Sequence, residues 1–340
     1  VVNEQYEKCF MNVLSTVYNY KPKYWGFGEA IAIDALLDAG ELFNDKKLKK
    51  RTVDHFQKWW ELKDSQVQFE DHVTPSYSLV KLVETNDIPD APLVELTSLF
   101  FNYNEGEPPV HRPDKEYPLN HHLWVDCLYT DGRFFSKMIK QGHERFNELL
   151  IKHFVGHIHC LYNEKNHLFS HGYEVDKSAP NNIFWGRGNG WALYGILDTY
   201  ENLPTSPIKS YLLKVFKECL NTVIYYYDSG NKGWHTVLDH PETYIENSLP
   251  ALFSGIVYKA CRLEVCDKSY LNVADESFYH LLNSVNQNGQ LLGVSDATPV
   301  GNIHNYNSRK TGSYIWGQGA LLRAFLEKER LSGRRKNEDV

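Results

Sequence analysis

Much of what would identify a membrane, metal or nucleotide protein is missing from this 340-residue chain. It holds no run of 18 apolar residues, which excludes a membrane-spanning helix. Its six cysteines (Cys9, Cys127, Cys160, Cys219, Cys261 and Cys266) form no CxxC pair and no zinc-finger spacing, so they read as reduced, mostly buried thiols. HExxH, GxSxG and GxxxxGK[ST] are absent, as is a kinase set, which leaves metalloprotease, serine-hydrolase and nucleoside-triphosphatase readings without support. Basic residues are not in excess. Lys and Arg total 36 against 43 Asp and Glu, a formal charge of −7, which argues against a dedicated nucleic-acid surface. No Asn-x-Ser/Thr triplet occurs, which favours a non-glycosylated chain. No linker rich in Pro, Gly or Ser divides the sequence, so residues 1–340 read as one domain. The chain begins Val-Val-Asn without an apolar leader, and the expectation is a cytoplasmic protein, with secreted or periplasmic placement open if a leader was removed.

Aromatic residues are the surplus. They make up 14% of the chain, with 22 Tyr, 17 Phe and 8 Trp. Such side chains fill cores, and their flat faces also stack on the apolar faces of sugar rings. Apolar residues recur at helical spacing over 30–37, 134–150, 191–203, 208–227, 249–263, 273–285 and 316–326. β-branched alternation is scarce, so the fold class is all-α. Six segments carry an aromatic-plus-glycine or carboxylate start that leads into an apolar helix. They lie at 24–28, 71–75, 123–126, 184–188, 244–248 and 314–319. Their intervals of roughly 45 to 70 residues suit one helical hairpin each. Six hairpins close into a ring, an (α/α)6 barrel, with the six inner-helix starts lining one pocket. Unpaired N–H groups at those starts favour an anionic ligand.

Within these starts, particular residues can do chemistry. Asp126 is a lone carboxylate in Leu123-Trp124-Val125-Asp126-Cys127-Leu128, surroundings that disfavour its charged form and suit a general acid. A helix N-cap, or a partner for a nearby histidine such as His121 or His122, is the alternative for it. Asp71, in Glu70-Asp71-His72-Val73-Thr74-Pro75, stands at the matching point of the preceding repeat, where it reads as a second acid or as a cap. Trp185-Gly186-Arg187-Gly188-Asn189-Gly190-Trp191 is the densest signal. Its glycines keep backbone accessible, Arg187 offers a bidentate fork to a carboxylate, and Trp185 and Trp191 offer faces to a pyranose; a tight structural turn with a buried ion pair is the alternative. His171 lies in the loop just ahead. His235, Asp239, His240 and Glu242 match no zinc signature, so they read as walls of a pocket and no metal is expected.

Together these blocks resemble the unsaturated rhamnogalacturonyl hydrolases of glycoside hydrolase family 105, with the unsaturated glucuronyl hydrolases of family 88 further off. The stretches that carry the likeness are 122–129, His171-Gly172-Tyr173, 185–191, Val237-Leu238-Asp239 on to Tyr244-Ile245-Glu246, and 317–322. The resemblance implies an (α/α)6 barrel. It places the acid/base aspartate on Asp126 and the second aspartate on Asp71, and lines the uronate subsite with His171, Trp185, Arg187 and Trp191. Trp124 and His122 join the substrate-binding set, and a further family histidine falls on His111, in Val110-His111-Arg112-Pro113.

The implied substrate is a small acidic oligosaccharide left by a polysaccharide lyase, with a terminal 4,5-unsaturated galacturonyl or glucuronyl residue linked to rhamnose. Protonation at C4 makes C5 oxocarbenium-like, water adds at C5, and the resulting hemiketal opens to release the neighbouring sugar. One aspartate serves as acid and then base, and no cofactor is implied. Asp71 would orient sugar hydroxyls or water and favour the protonated form of Asp126 by like-charge repulsion. A conventional glycosidase working with an Asp pair, a helical-barrel sugar epimerase and a non-catalytic sugar binder are the competing readings. Pectin-derived and ulvan-type substrates are both open, as is the oligomeric state.

Overall fold

The computed structural model describes residues 2–22, 27–62, 76–103 and 122–333. Fourteen helices occur among them: α1 (Val2–Asn19), α2 (Phe27–Leu42), α3 (Lys46–Leu62), α4 (Ser76–Glu84), α5 (Ala91–Tyr103), α6 (Cys127–Thr130), α7 (Gly132–Lys140), α8 (Phe146–Leu161), α9 (Gly186–Asn202), α10 (Pro207–Tyr225), α11 (Ser248–Arg262), α12 (Tyr270–Leu282), α13 (Ile303–Asn307) and α14 (Ile315–Ser332). Helices α2, α4, α7, α9, α11 and α14 each pack on the next, and α14 returns to α2, which closes a ring. Outside it, α3, α5, α8, α10 and α12 back onto the inner helices they follow, while α1 packs on α14 and α2. This is the all-α, six-hairpin barrel expected from the sequence, and five of the six marked starts lead straight into α2, α4, α9, α11 and α14. The sixth leads into the short α6, which runs on into α7.

Composition separates the two layers. In α9 every residue from Gly186 to Thr199 is buried, and in α11 every residue from Ser248 to Cys261, because inner helices meet neighbours on all sides. In α10 burial is confined to Leu212, Val215, Phe216, Cys219, Leu220 and Val223, the one-faced spacing of an outer helix. Ser206 starts α10 by accepting a hydrogen bond from the Lys209 N–H, with Pro207 in its first turn. The helical run expected over 134–150 is in fact two helices. Gly142 takes φ +89° after α7, a left-handed turn that reverses the chain into α8.

The lower half of the barrel is filled with charge. Arg133 of α7 pairs with Asp34 of α2, which also accepts from Ser78 of α4. Asp198 of α9 accepts from Lys259 of α11 at 2.5 Å and from Arg323 of α14 at 3.1 and 3.2 Å. All six inner helices therefore contribute to one buried network. Burial alone would raise the Asp198 carboxyl, but Arg323, Lys259 and Arg133 hold it well below the usual carboxylate range. The Arg133 guanidinium also lies 3.8 Å over the Tyr129 ring, and that of Arg323 lies 4.0 Å over Tyr194.

Candidate active site

Short β-ladders hold the loops at the opposite end, where the inner helices start. Strand His122–Trp124 runs antiparallel to Gly172–Glu174, with Trp124 opposite Gly172, and the Val125 N–H donates to His171 O at 2.9 Å. That ladder sets Asp126 beside His171, 45 residues away in sequence. Asp126 occupies the N-cap position of α6 but makes no side-chain cap bond, which removes the capping alternative. Its Oδ2 instead lies 3.4 Å from His171 Nε2, while His121 and the side chain of His122 lie outside the described residues. Both residues are buried. The α6 turn is held from behind by His153 of α8, whose Nε2–H donates to Cys127 O at 3.0 Å. Burial, with His157 adding to it, keeps His153 neutral.

His171 is the centre of an aromatic box. Trp124 meets it edge-on at 5.4 Å between ring centroids, and Trp185 lies against its other side at 4.3 Å. Its Nδ1 shares a 2.6 Å hydrogen bond with the Tyr306 hydroxyl of α13, and Asn181 Nδ2 donates to that same hydroxyl oxygen at 3.1 Å. Burial lowers the pKa of His171, opposed by the Asp126 carboxylate, so the imidazole is held towards its neutral form. A neutral ring that accepts from Tyr306 at Nδ1 carries its proton on Nε2, facing Asp126.

Arg187 departs from the expected fork held out to a carboxylate. Its Nη1 donates to the carbonyl and hydroxyl oxygens of Ser295, both at 2.9 Å. Its Nη2 donates to Asp296 O at 2.9 Å and to Thr298 Oγ1 at 3.1 Å. Glu246 Oε1 stands 3.6 Å from Nη1 and accepts from the Ser295 N–H at 2.6 Å. All four Nη hydrogens are therefore spent on the protein, and the guanidinium is buried over Trp185, 4.5 Å from its centroid. Arg187 staples the 295–298 loop to the start of α9. The glycines around it also act differently from expectation. A Cβ on Gly188 would sit 2.8 Å from Val125 and 2.9 Å from Trp185, so this glycine permits helix-to-loop packing and is not an open approach for a ligand.

Trp191 sits deeper in the barrel, its ring 4.8 Å from that of Tyr129. The structure thus brings Asp126, His171, Trp124 and Trp185 together, with Arg187 behind Trp185 and Trp191 below. Asp71 and His111 lie outside the described residues, and of His122 only the backbone strand is described. Among the described residues no group of His, Cys, Asp and Glu is arranged to hold a metal. His235 and His240 bond locally, His235 Nδ1 to Thr243 O and His240 Nδ1 to Glu242 at 2.7 Å. His240 also lines an open cavity of about 700 Å³, together with Gly172, Asn181 and Gly301. Tyr306, Asn181, Glu246 and Ser295 were not marked as site residues by the sequence. Only Glu246 stood in a recognisable block, as the carboxylate before α11.

The sequence model described as Glycosyl Hydrolase Family 88 matches residues 2–332. The chain belongs to glycosyl hydrolase family 88. Among curated relatives of this family 88 chain, the unsaturated rhamnogalacturonyl hydrolase YesR of Bacillus subtilis (strain 168) is 30% identical over 219 residues, 61% of this chain and 60% of the relative. The unsaturated 3S-rhamnoglycuronyl hydrolase of Formosa agariphila is 26% identical over 132 residues, 36% of this chain and 35% of that one. The match thus spans less than two thirds of either relative's length. Among solved structures, a possible member of the GH105 family from Salmonella enterica superposes with a TM-score of 0.87 at 20% identity, covering 97% of this chain and 95% of that one. The kinship with families 105 and 88 read from the motifs is borne out, and so is the barrel. No helix of the described residues is long and apolar enough to cross a membrane.

Proposed function

We propose that this chain removes the terminal 4,5-unsaturated uronic acid from small, lyase-generated oligosaccharides, with rhamnose as the neighbouring sugar. The observation that carries the reading is the buried Asp126–His171 pair, enclosed by Trp124 and Trp185 where the inner helices begin. His171 Nε2 faces Oδ2 of Asp126 at 3.4 Å, and the other carboxyl oxygen carries the transferable proton. Delivered to C4, that proton turns the enol ether into a C5 oxocarbenium-like centre. The carboxylate then accepts a proton from the water that adds at C5, the hemiketal opens, and the neighbouring sugar leaves. Starts of the inner helices supply N–H groups and positive dipole ends, which suit the uronate carboxylate. Asp71 is the second acid of this scheme, orienting water or sugar hydroxyls, and His111 and His122 extend the substrate contacts. Trp185 and Trp191 wall the ring. Arg187 serves the subsite through the 295–298 loop that it holds.

Names of the relatives support both a rhamnogalacturonan-type and a rhamnoglycuronyl-type substrate. A panel of lyase-generated disaccharides, followed by loss of the alkene's ultraviolet absorbance and by product analysis, tests class and substrate together. Turnover of saturated glycosides with the alkene untouched would overturn the reading in favour of a conventional glycosidase. Conversion without uptake of water would favour an epimerase.

A further inference from the structure

Two thiols face each other at the end of the barrel remote from Asp126. Cys261 lies in the last turn of α11, about 20 Å along the helix from its start at Ser248. Cys266 follows in the turn that leads to α12. The backbone of that turn is fixed: Leu263 N–H donates to Lys259 O at 2.9 Å, Val265 N–H to Ala260 O at 2.9 Å, and Glu264 takes φ +58°. This left-handed reversal brings Cys266 Sγ to 3.2 Å from Cys261 Sγ. A disulfide bond, at roughly 2.05 Å, requires the sulfurs to close by little more than an ångström. Cys261 is buried, whereas Cys266 lines a cavity of about 220 Å³ with Lys217, Asn221, Asp267 and Tyr270. One sulfur is therefore reachable from solvent and the other waits directly behind it.

The remaining thiols lack this arrangement. Burial pushes Cys9 up to about 11 and raises Cys160 and Cys219 as well. Cys261 moves the other way, because the Cys266 thiol hydrogen-bonds to it, with Lys268 adding to the effect. The chain thus holds a thiolate-prone sulfur paired with an accessible one.

We propose that Cys261 and Cys266 form a redox couple that exchanges with low-molecular-weight disulfides and closes into an intramolecular disulfide. The hydrogen bond to Cys261, with burial, raises the Cys266 thiol, so Cys266 first passes its proton to the Cys261 sulfur 3.2 Å away and then attacks one sulfur of the incoming disulfide, forming a mixed disulfide and expelling one thiolate. Cys261 then loses that proton to solvent, attacks the Cys266 sulfur, forms the internal bond and expels the second thiolate. The two protein thiols lose two electrons, the small disulfide gains them, and the two thiol protons pass through solvent to the released thiols.

The full chain, incubated with oxidised glutathione, alkylated and peptide-mapped by mass spectrometry, tests this. The expected map shows one Cys261–Cys266 cross-link, the other four cysteines alkylated and no glutathione retained, with the pair oxidising about ten times faster than Cys9 or Cys160. Dithiothreitol should return all six thiols. In Cys261→Ser, which lacks the second thiol, glutathione should stay on Cys266 as a stable adduct. A wild-type chain in which Cys266 stays free, keeps glutathione, or bonds to another cysteine would overturn the proposal, and that result needs no variant to fold.

Discussion

At the lower end of the barrel Asp198 accepts from Lys259 and Arg323, and Arg133 stands 3.7 Å away. At the upper end the Oδ2 of Asp126, also buried, faces His171 Nε2 at 3.4 Å. Both carboxyls are taken out of water, but among the described residues only Asp198 has lysine or arginine nitrogens within 4 Å. Buried charge must be compensated or the group becomes costly. The lower network meets that requirement from six helices at once and so ties the ring together. The upper pair sets a histidine beside the carboxyl instead, an arrangement that suits the proton transfer proposed for Asp126. Position along the barrel thus separates a carboxyl that holds the ring together from one proposed to work in it.

Breaking the lower side gives the largest expected effect. Asp198→Ala strands Arg323, Lys259 and Arg133 and should cost about 3–5 kcal/mol of stability by chemical denaturation, with turnover per folded molecule kept. Asp126→Asn should do the reverse: a fall in turnover of about 10²–10⁴-fold on an unsaturated disaccharide, with the denaturation midpoint little changed. Near wild-type turnover would remove Asp126 from the chemistry. Tyr306→Phe deletes the hydrogen bond that sets the His171 proton, worth about 1 kcal/mol, so kcat should drop roughly five- to tenfold with the fold intact by circular dichroism.

Acid sharpens the contrast. His171 is lowered in the fold, so its contribution is complete above the unfolded histidine value of about 6.5 and is lost as pH falls below it. Asp198 is lowered too, and its contribution is complete above the unfolded value of about 3.9 and is lost only as pH falls through the folded value. Stability measured from neutral pH downward should therefore fall in two stages. His171→Asn should shrink the first, which His153 shares, and leave the second. The smallest effect belongs to the surface. Removing Lys50, paired with Asp54 at 2.8 Å on exposed α3, should change stability by less than about 0.5 kcal/mol.

The barrel was legible because each hairpin repeats the same start, and local pattern is enough to count six of them. Asp126, His171 and Trp185 were legible for a similar reason, since each sits in a short block of distinctive residue types. The second half of the site was not. Tyr306 lies 135 residues from His171 in a five-residue helix without a signature, and nothing in its neighbours points to a histidine elsewhere. Arg187 misled for the opposite reason. Its motif announces a cation but not its acceptors, which are backbone carbonyls and hydroxyls of a loop more than a hundred residues away. The lower network was hidden as well, because an Asp or Lys inside a helical pattern reads as solvent-facing until the ring is closed around it.

That long reach between Arg187 and the 295–298 loop, and between His171 and Tyr306, has a temporal side. During vectorial synthesis Asp126, His171 and Trp185 leave the ribosome well before the residues that brace them, and the α14–α2 seam forms later still. A nascent chain halted before Tyr306 would display Asp126 and His171 without the hydroxyl that orients the imidazole. Competence should therefore arrive abruptly, once the 295–306 segment and α14 have emerged.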